Sequence, residues 1–146
     1  MKPWTVDDPV FVLHRYYLQA IMTRKLFERM MEQYPGPHTS ITEGFLNLQT
    51  AMGLWYGAVY AVAEGWRDYV KPTDPKVDAL IADPKIDKLK RYRNAVFHYQ
   101  REYFSHKMLE AMHDDFAQWV TLLYRELGRF FLEYMDKKKV ELESKT

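Results

Sequence analysis

Gly44-Phe45-Leu46-Asn47-Leu48-Gln49-Thr50-Ala51-Met52-Gly53-Leu54-Trp55-Tyr56-Gly57-Ala58-Val59-Tyr60-Ala61-Val62-Ala63 is a run of 20 residues without a formal charge, and its reading decides the fold. Its length alone would span a bilayer. Asn47, Gln49, Thr50, Tyr56 and Tyr60, with Gly53 and Gly57, lower its hydropathy and would leave polar groups facing lipid. The run is therefore expected to be a central, mostly buried helix of a bundle. Gly53, Gly57, Ala61 and Gly65 recur at four-residue spacing and make a narrow row along it. Each glycine costs a helix about 1 kcal/mol relative to alanine, so close packing of a neighbour is the expected compensation.

Outward from this run, proline punctuates the chain. Asp8-Pro9, Asp74-Pro75 and Asp83-Pro84 each place a capping carboxylate before a proline suited to a first helical position. Ser40-Ile41-Thr42-Glu43 has capping-box spacing, after the turn-rich Tyr34-Pro35-Gly36-Pro37-His38. These signals predict helices over 9–33, 41–70, 75–82, 84–105 and 107–140. In the last, Leu109, Met112, Phe116, Trp119, Leu123, Leu127, Phe130 and Tyr134 recur at three- and four-residue steps, one stripe of a helix facing a core. No strand pattern competes. The expectation is an all-α, up-down bundle of four long helices and one short helix, a single domain over 1–146.

Composition narrows the function. The chain is 47% hydrophobic and 28% charged, with a net charge of +1, so it lacks the broad cationic field of a protein that coats nucleic acid. With no cysteine, it has no disulfides, thiolate zinc sites or cysteine nucleophiles. Met1 to Asp8 lacks the basic start and apolar core of an export signal, and a cytoplasmic location without membrane attachment is expected. One Glu110-x-x-His113 pair has di-iron spacing, but two such pairs are needed, and no metal or other cofactor is expected. His14, His38 and His106 stand alone, and Lys137-Lys138-Lys139 suits a helix C-terminus.

Chemistry concentrates in Arg91-Tyr92-Arg93-Asn94-Ala95-Val96-Phe97-His98-Tyr99. Histidine exchanges a proton near neutral pH, guanidinium grips phosphate oxygens through paired bonds, and an amide orients either partner. On a helix over 84–105, Ile86, Leu89, Val96, Phe97, Tyr103 and Phe104 share the core side. Asp87, Arg91, Asn94, His98, Arg101 and Ser105 share the open one. There Asn94 and His98 are neighbours at i, i+4. Arg93 falls in the apolar sector and needs a carboxylate. Glu64, the first charge after the neutral run, is the expected structural partner. From Lys85 to Lys107 seven basic residues face two acidic ones, a local +5. Lys90, Arg91, Arg101 and Tyr99 are candidate RNA contacts, with Tyr92 and Tyr103 also interleaved among the charges.

Arg93, Asn94 and His98, with four residues between arginine and histidine, resemble the motif of the HEPN superfamily of helical-bundle domains. In that motif arginine is followed by four to six residues and histidine, often with a polar residue directly after the arginine. Arg101 to His106 has the same spacing and Arg91 to His98 falls within the permitted range, but neither arginine is followed by asparagine. One toxin subgroup carries a tyrosine two residues after the histidine; Gln100 stands there, so that subgroup's regulation is not carried over. The resemblance implies a metal-independent endoribonuclease of the toxin or defence type, acting as a homodimer whose two motif helices line one cleft. An RNA 2′-hydroxyl would attack the adjacent phosphorus, with His98 moving a proton, Arg93 stabilising phosphoryl charge and Asn94 orienting the site. An antitoxin partner is a further implication. The alternative is a non-catalytic module of the same type that binds a nucleotide or a protein partner.

Overall fold

The computed structural model describes residues 8–35, 42–103 and 105–145, and every regular element among them is helical. Helix α1 (Pro9–Gln33) opens on Asp8, whose carboxylate accepts the Val10 amide proton at 2.9 Å and the Tyr134 hydroxyl proton at 2.8 Å. Helix α2 (Glu43–Gly65) carries the neutral run and starts after Thr42, whose hydroxyl accepts from the Phe45 amide at 3.2 Å. Ser40 of the expected capping box lies outside the described residues, as do His38, Met1 to Asp7 and Phe104.

Beyond Gly65 the chain continues as a π-helical turn, Trp66–Val70. It closes at Lys71 in the left-handed region, φ 50°, with the Lys71 amide donating to the Trp66 carbonyl at 2.9 Å. Trp66 is buried against Phe130, and its indole N–H donates to Asp78 at 2.8 Å. Helix α3 (Pro75–Ile81) is capped by Asp74, which accepts from the amides of Lys76 and Val77. Helix α4 (Lys85–Phe97) follows Asp83, whose carboxylate accepts from the Lys85 amide at 2.8 Å. Helix α5 (His106–Leu109) is a single turn, and α6 (Asp114–Ser144) runs to the end of the described chain.

The bundle packs α1 along α2, α2 on α4, and α3 on α6. Trp55, Tyr56, Tyr60, Trp66, Tyr92, Phe116 and Phe131 are the largest side chains fully enclosed between them. The row of small residues on α2 works through side chains of α4. A methyl on Gly53 would stand 3.0 Å from Val96, and one on Gly57 would stand 2.5 Å from Phe97. No helix among the described residues is long and apolar enough to cross a membrane.

Two expected boundaries miss by seven residues or more. Helix α4 stops at Phe97 rather than 105, because His98 takes an extended backbone, φ −118° and ψ 137°. Packing sustains a helix in water, and the next core-facing position falls on Gln100. Its amide donates instead to the carbonyls of His98 and Tyr99, a local bond that competes with the helix. The last helix starts at Asp114, not 107, so Leu109 and Met112 are exposed and the buried stripe begins at Phe116. Consequently three long helices form rather than four, with α4 intermediate in length and α3 and α5 short.

One guanidinium ties α6 to α3. Arg129 reaches Asp74 at 2.8 Å, Glu133 at 3.1 Å, and Glu126. Burial opposes ionisation of Asp74, but Arg129 and the two capped amides outweigh it and hold the carboxyl below its ordinary range.

Candidate functional site

Arg93 leaves α4 toward α2, where Glu64 Oε2 stands 3.6 Å from its Nη2 and the Tyr60 ring lies 4.8 Å from the guanidinium carbon. The pair follows from helix geometry, since Arg93 projects on the packed side of α4 and Glu64 lies near the end of the facing helix. Arg93 Nε is buried and donates no hydrogen bond among the described residues. About a third of each side chain remains exposed, so the guanidinium is screened on one side only.

His98 sits one residue past α4, its backbone N–H donating to the Asn94 carbonyl at 2.9 Å. The helical face that Asn94 and His98 were expected to share therefore ends at His98, whose own backbone is extended. The exposed imidazole instead lies where two grooves meet. One groove, about 610 Å³, runs between α1 and α4 over the small residues of α2 and is lined by Leu18, Met22, Ala58, Arg93, Phe97 and His98. The other, about 460 Å³, lies between α2 and residues 96–103, with Gln49, Gly53, Val96, His98, Tyr99 and Tyr103 among its walls. Arg93 and His98 thus share the first groove; Asn94 is half-buried and lines neither.

The remaining candidates scatter. Arg91 points to the other side of α4 and donates to Glu110 at 2.9 Å, a bond that lowers the Glu110 pKa, while His106 approaches the same carboxylate at 3.3 Å. That engagement accounts for Glu110, and among the described residues no three histidines, aspartates or glutamates come together as a metal site. Lys90 and Arg101 are exposed, and Tyr99 is 92% exposed. Tyr92 is not a surface stacking residue: it is enclosed in the core 5.1 Å from Tyr56, and burial raises its pKa. Ser105, expected on the open face, is buried as well. Carboxylates from other elements also offset the local charge excess, with Asp83, Glu64 and Glu110 each on a basic residue of α4.

Sequence reasoning missed the apolar rim. Leu18, Met22 and Phe97 are 47%, 67% and 57% exposed around the groove that holds Arg93. Leu18, Met22 and Leu26 at four-residue spacing were the available signal, a second apolar line on α1 beside the buried Leu13, Tyr17 and Ala20. No protein-family model matches this chain, and no curated protein or solved structure matches it either.

Proposed function

We propose that this chain is a metal-independent endoribonuclease of the HEPN type, acting in toxin or defence systems as a homodimer. The observation that carries the reading is that Arg93 and His98, separated by a helix end, line the same open groove. In the reaction the RNA 2′-oxygen bonds to the adjacent phosphorus and the bond from phosphorus to the 5′-oxygen breaks. His98 moves the proton from the attacking hydroxyl toward the leaving oxygen, and Arg93 stabilises charge on the phosphoryl oxygens. The Asn94 backbone carbonyl accepts the His98 backbone N–H at 2.9 Å and fixes where the imidazole leaves the helix, and the Asn94 side chain is assigned the orienting role by the resemblance. A second copy covers the apolar rim of Leu18, Met22 and Phe97 and brings two such grooves together. Exposed apolar surface of this kind marks an interaction site.

The test is cleavage of labelled single-stranded RNA in excess EDTA. Native protein should leave cyclic phosphate and 5′-hydroxyl ends and spare DNA, which lacks the attacking hydroxyl. His98→Ala should lose about 10²- to 10⁴-fold in rate, and Arg93→Ala should be similarly impaired. Activity unchanged in both variants refutes the assignment.

One observation favours the second reading, a non-catalytic module that binds a nucleotide or a protein partner. Arg93 is already held by Glu64 and the Tyr60 ring, as a structural arginine would be. Binding of RNA without cleavage by folded native protein would select it.

A further inference from the structure

The two grooves that meet at His98 differ in chemistry. The groove shared with α1 contains Arg93, whereas among the described residues no lysine or arginine lines the other. In place of cations the second groove has an aromatic wall, Phe97, Tyr99 and Tyr103, facing polar groups of α2. Gln49 lies on that helix, and its side-chain amide takes no hydrogen bond among the described residues, leaving a donor and an acceptor side by side. Thr50 is different, since its hydroxyl already donates to the Leu46 carbonyl at 2.8 Å. Glu102 also lines the groove. A carboxylate there repels phosphate but accepts hydrogen bonds from exocyclic amino groups.

We infer that this second groove is a nucleobase subsite, in which Tyr99 stacks a base of single-stranded RNA and the Gln49 amide reads its hydrogen-bonding edge. The inference rests on the ribonuclease reading and extends it to substrate preference. Its volume of about 460 Å³ lies in the range of small-ligand sites. A 92% exposed tyrosine ring offers a face to a base at no packing cost. Stacking on aromatic rings and reading of splayed base edges is how proteins recognise single-stranded RNA. The division of labour follows from charge: the phosphate lies toward Arg93, the base enters the cation-free groove, and His98 stands between them.

The experiment is fluorescence anisotropy with labelled 2′-O-methyl tetranucleotides of A, C, G and U, which lack the attacking hydroxyl. Native protein should prefer one or two bases by at least about fivefold. Tyr99→Ala should weaken all of them about tenfold. Gln49→Leu should retain binding and level the preference. Both side chains lie at the surface of the groove, and circular dichroism will show whether the variants keep the native helix content. Equal binding by native protein and both variants, or no binding by native protein, overturns the subsite. Cleavage of natural RNA keeps the two readings apart. Cleavage that depends on His98 but keeps its base preference in Gln49→Leu removes the subsite and spares the nuclease. Preference lost in Gln49→Leu without any cleavage by native protein does the reverse.

Discussion

Glu64 stands 3.6 Å from Arg93, longer than a hydrogen bond, and the guanidinium rests on the Tyr60 ring instead of on a second carboxylate. The pair anchors the arginine loosely while leaving part of it facing the groove. With both partners about a third exposed, Glu64→Gln should change stability by less than about 1 kcal/mol. RNA affinity should rise several-fold in the same variant, because phosphate no longer competes with a carboxylate for the guanidinium. Thermal melts and RNA anisotropy check the two halves separately; a fall in affinity would mean that Glu64 orients Arg93 for its ligand.

Dimerisation is testable at the apolar rim. Met22→Glu places a charge where a second copy would bury a methionine, and it should convert dimer to monomer and abolish cleavage together. Light scattering coupled to gel filtration reads the mass. Native protein that is monomeric at micromolar concentration would refute the shared-cleft arrangement.

His14 gives a pH dependence. Packed with its ring centroid 5.2 Å from that of Phe131 and 6.4 Å from that of Tyr17, it is held by burial below the ordinary histidine pKa. As pH falls through about 6.5, the unfolded chain takes up a proton at this site before the folded chain does, so stability is lost from that pH downward. His14→Gln should flatten that part of the profile. Denaturant midpoints at pH 8 and pH 5 decide the matter, the native chain losing more on acidification than the variant.

Two glycines should respond differently to alanine. At Gly128 the added methyl would collide with the Tyr17 hydroxyl, which donates to the Tyr124 carbonyl at 3.2 Å from a buried ring. Overpacking of about 1–3 kcal/mol should exceed the gain of about 1 kcal/mol in helix propensity, and urea unfolding should show a net loss. At Gly57 the obstacle is the edge of Phe97, a ring more than half exposed and free to swing outward. Gly57→Ala should stay within about 1 kcal/mol of native stability yet alter ligand binding, since Phe97 borders both grooves.

The starts of α1, α3 and α4 were legible because they are written in local chemistry. An aspartate before a proline caps an amide two residues on whatever the rest of the chain does, and Asp8, Asp74 and Asp83 all do so. The core stripe of α6 through Phe116, Trp119, Leu123 and Leu127 is equally plain from its period, but beyond it the enclosed ring is Phe131, where Phe130 and Tyr134 were expected. The end of α4 was not, because no glycine or proline marks it and the deciding bonds of Gln100 are formed only once the helix has failed. Tyr92 was misplaced for a related reason: a tyrosine among charges looks amphipathic, and only the neighbouring Tyr56 reveals that it is enclosed. Arg93 could be set against Glu64 because it falls in the apolar sector of its helix and Glu64 is the first charge after the neutral run. The grooves could not be foreseen, since they are spaces between elements, and no periodicity within one helix describes the gap beside another.

Arg129, with Asp74, Glu133 and Glu126 around one fork, also constrains how this chain can change over time. Lysine keeps the charge but not the planar spread of donors that serves three carboxylates at once. A substitution at 129 would therefore leave acids on two helices facing one another, and one or more of them would have to be lost in the same lineage. Position 129 is thus expected to evolve as a member of a set, and a relative lacking this arginine should lack some of its acidic neighbours too.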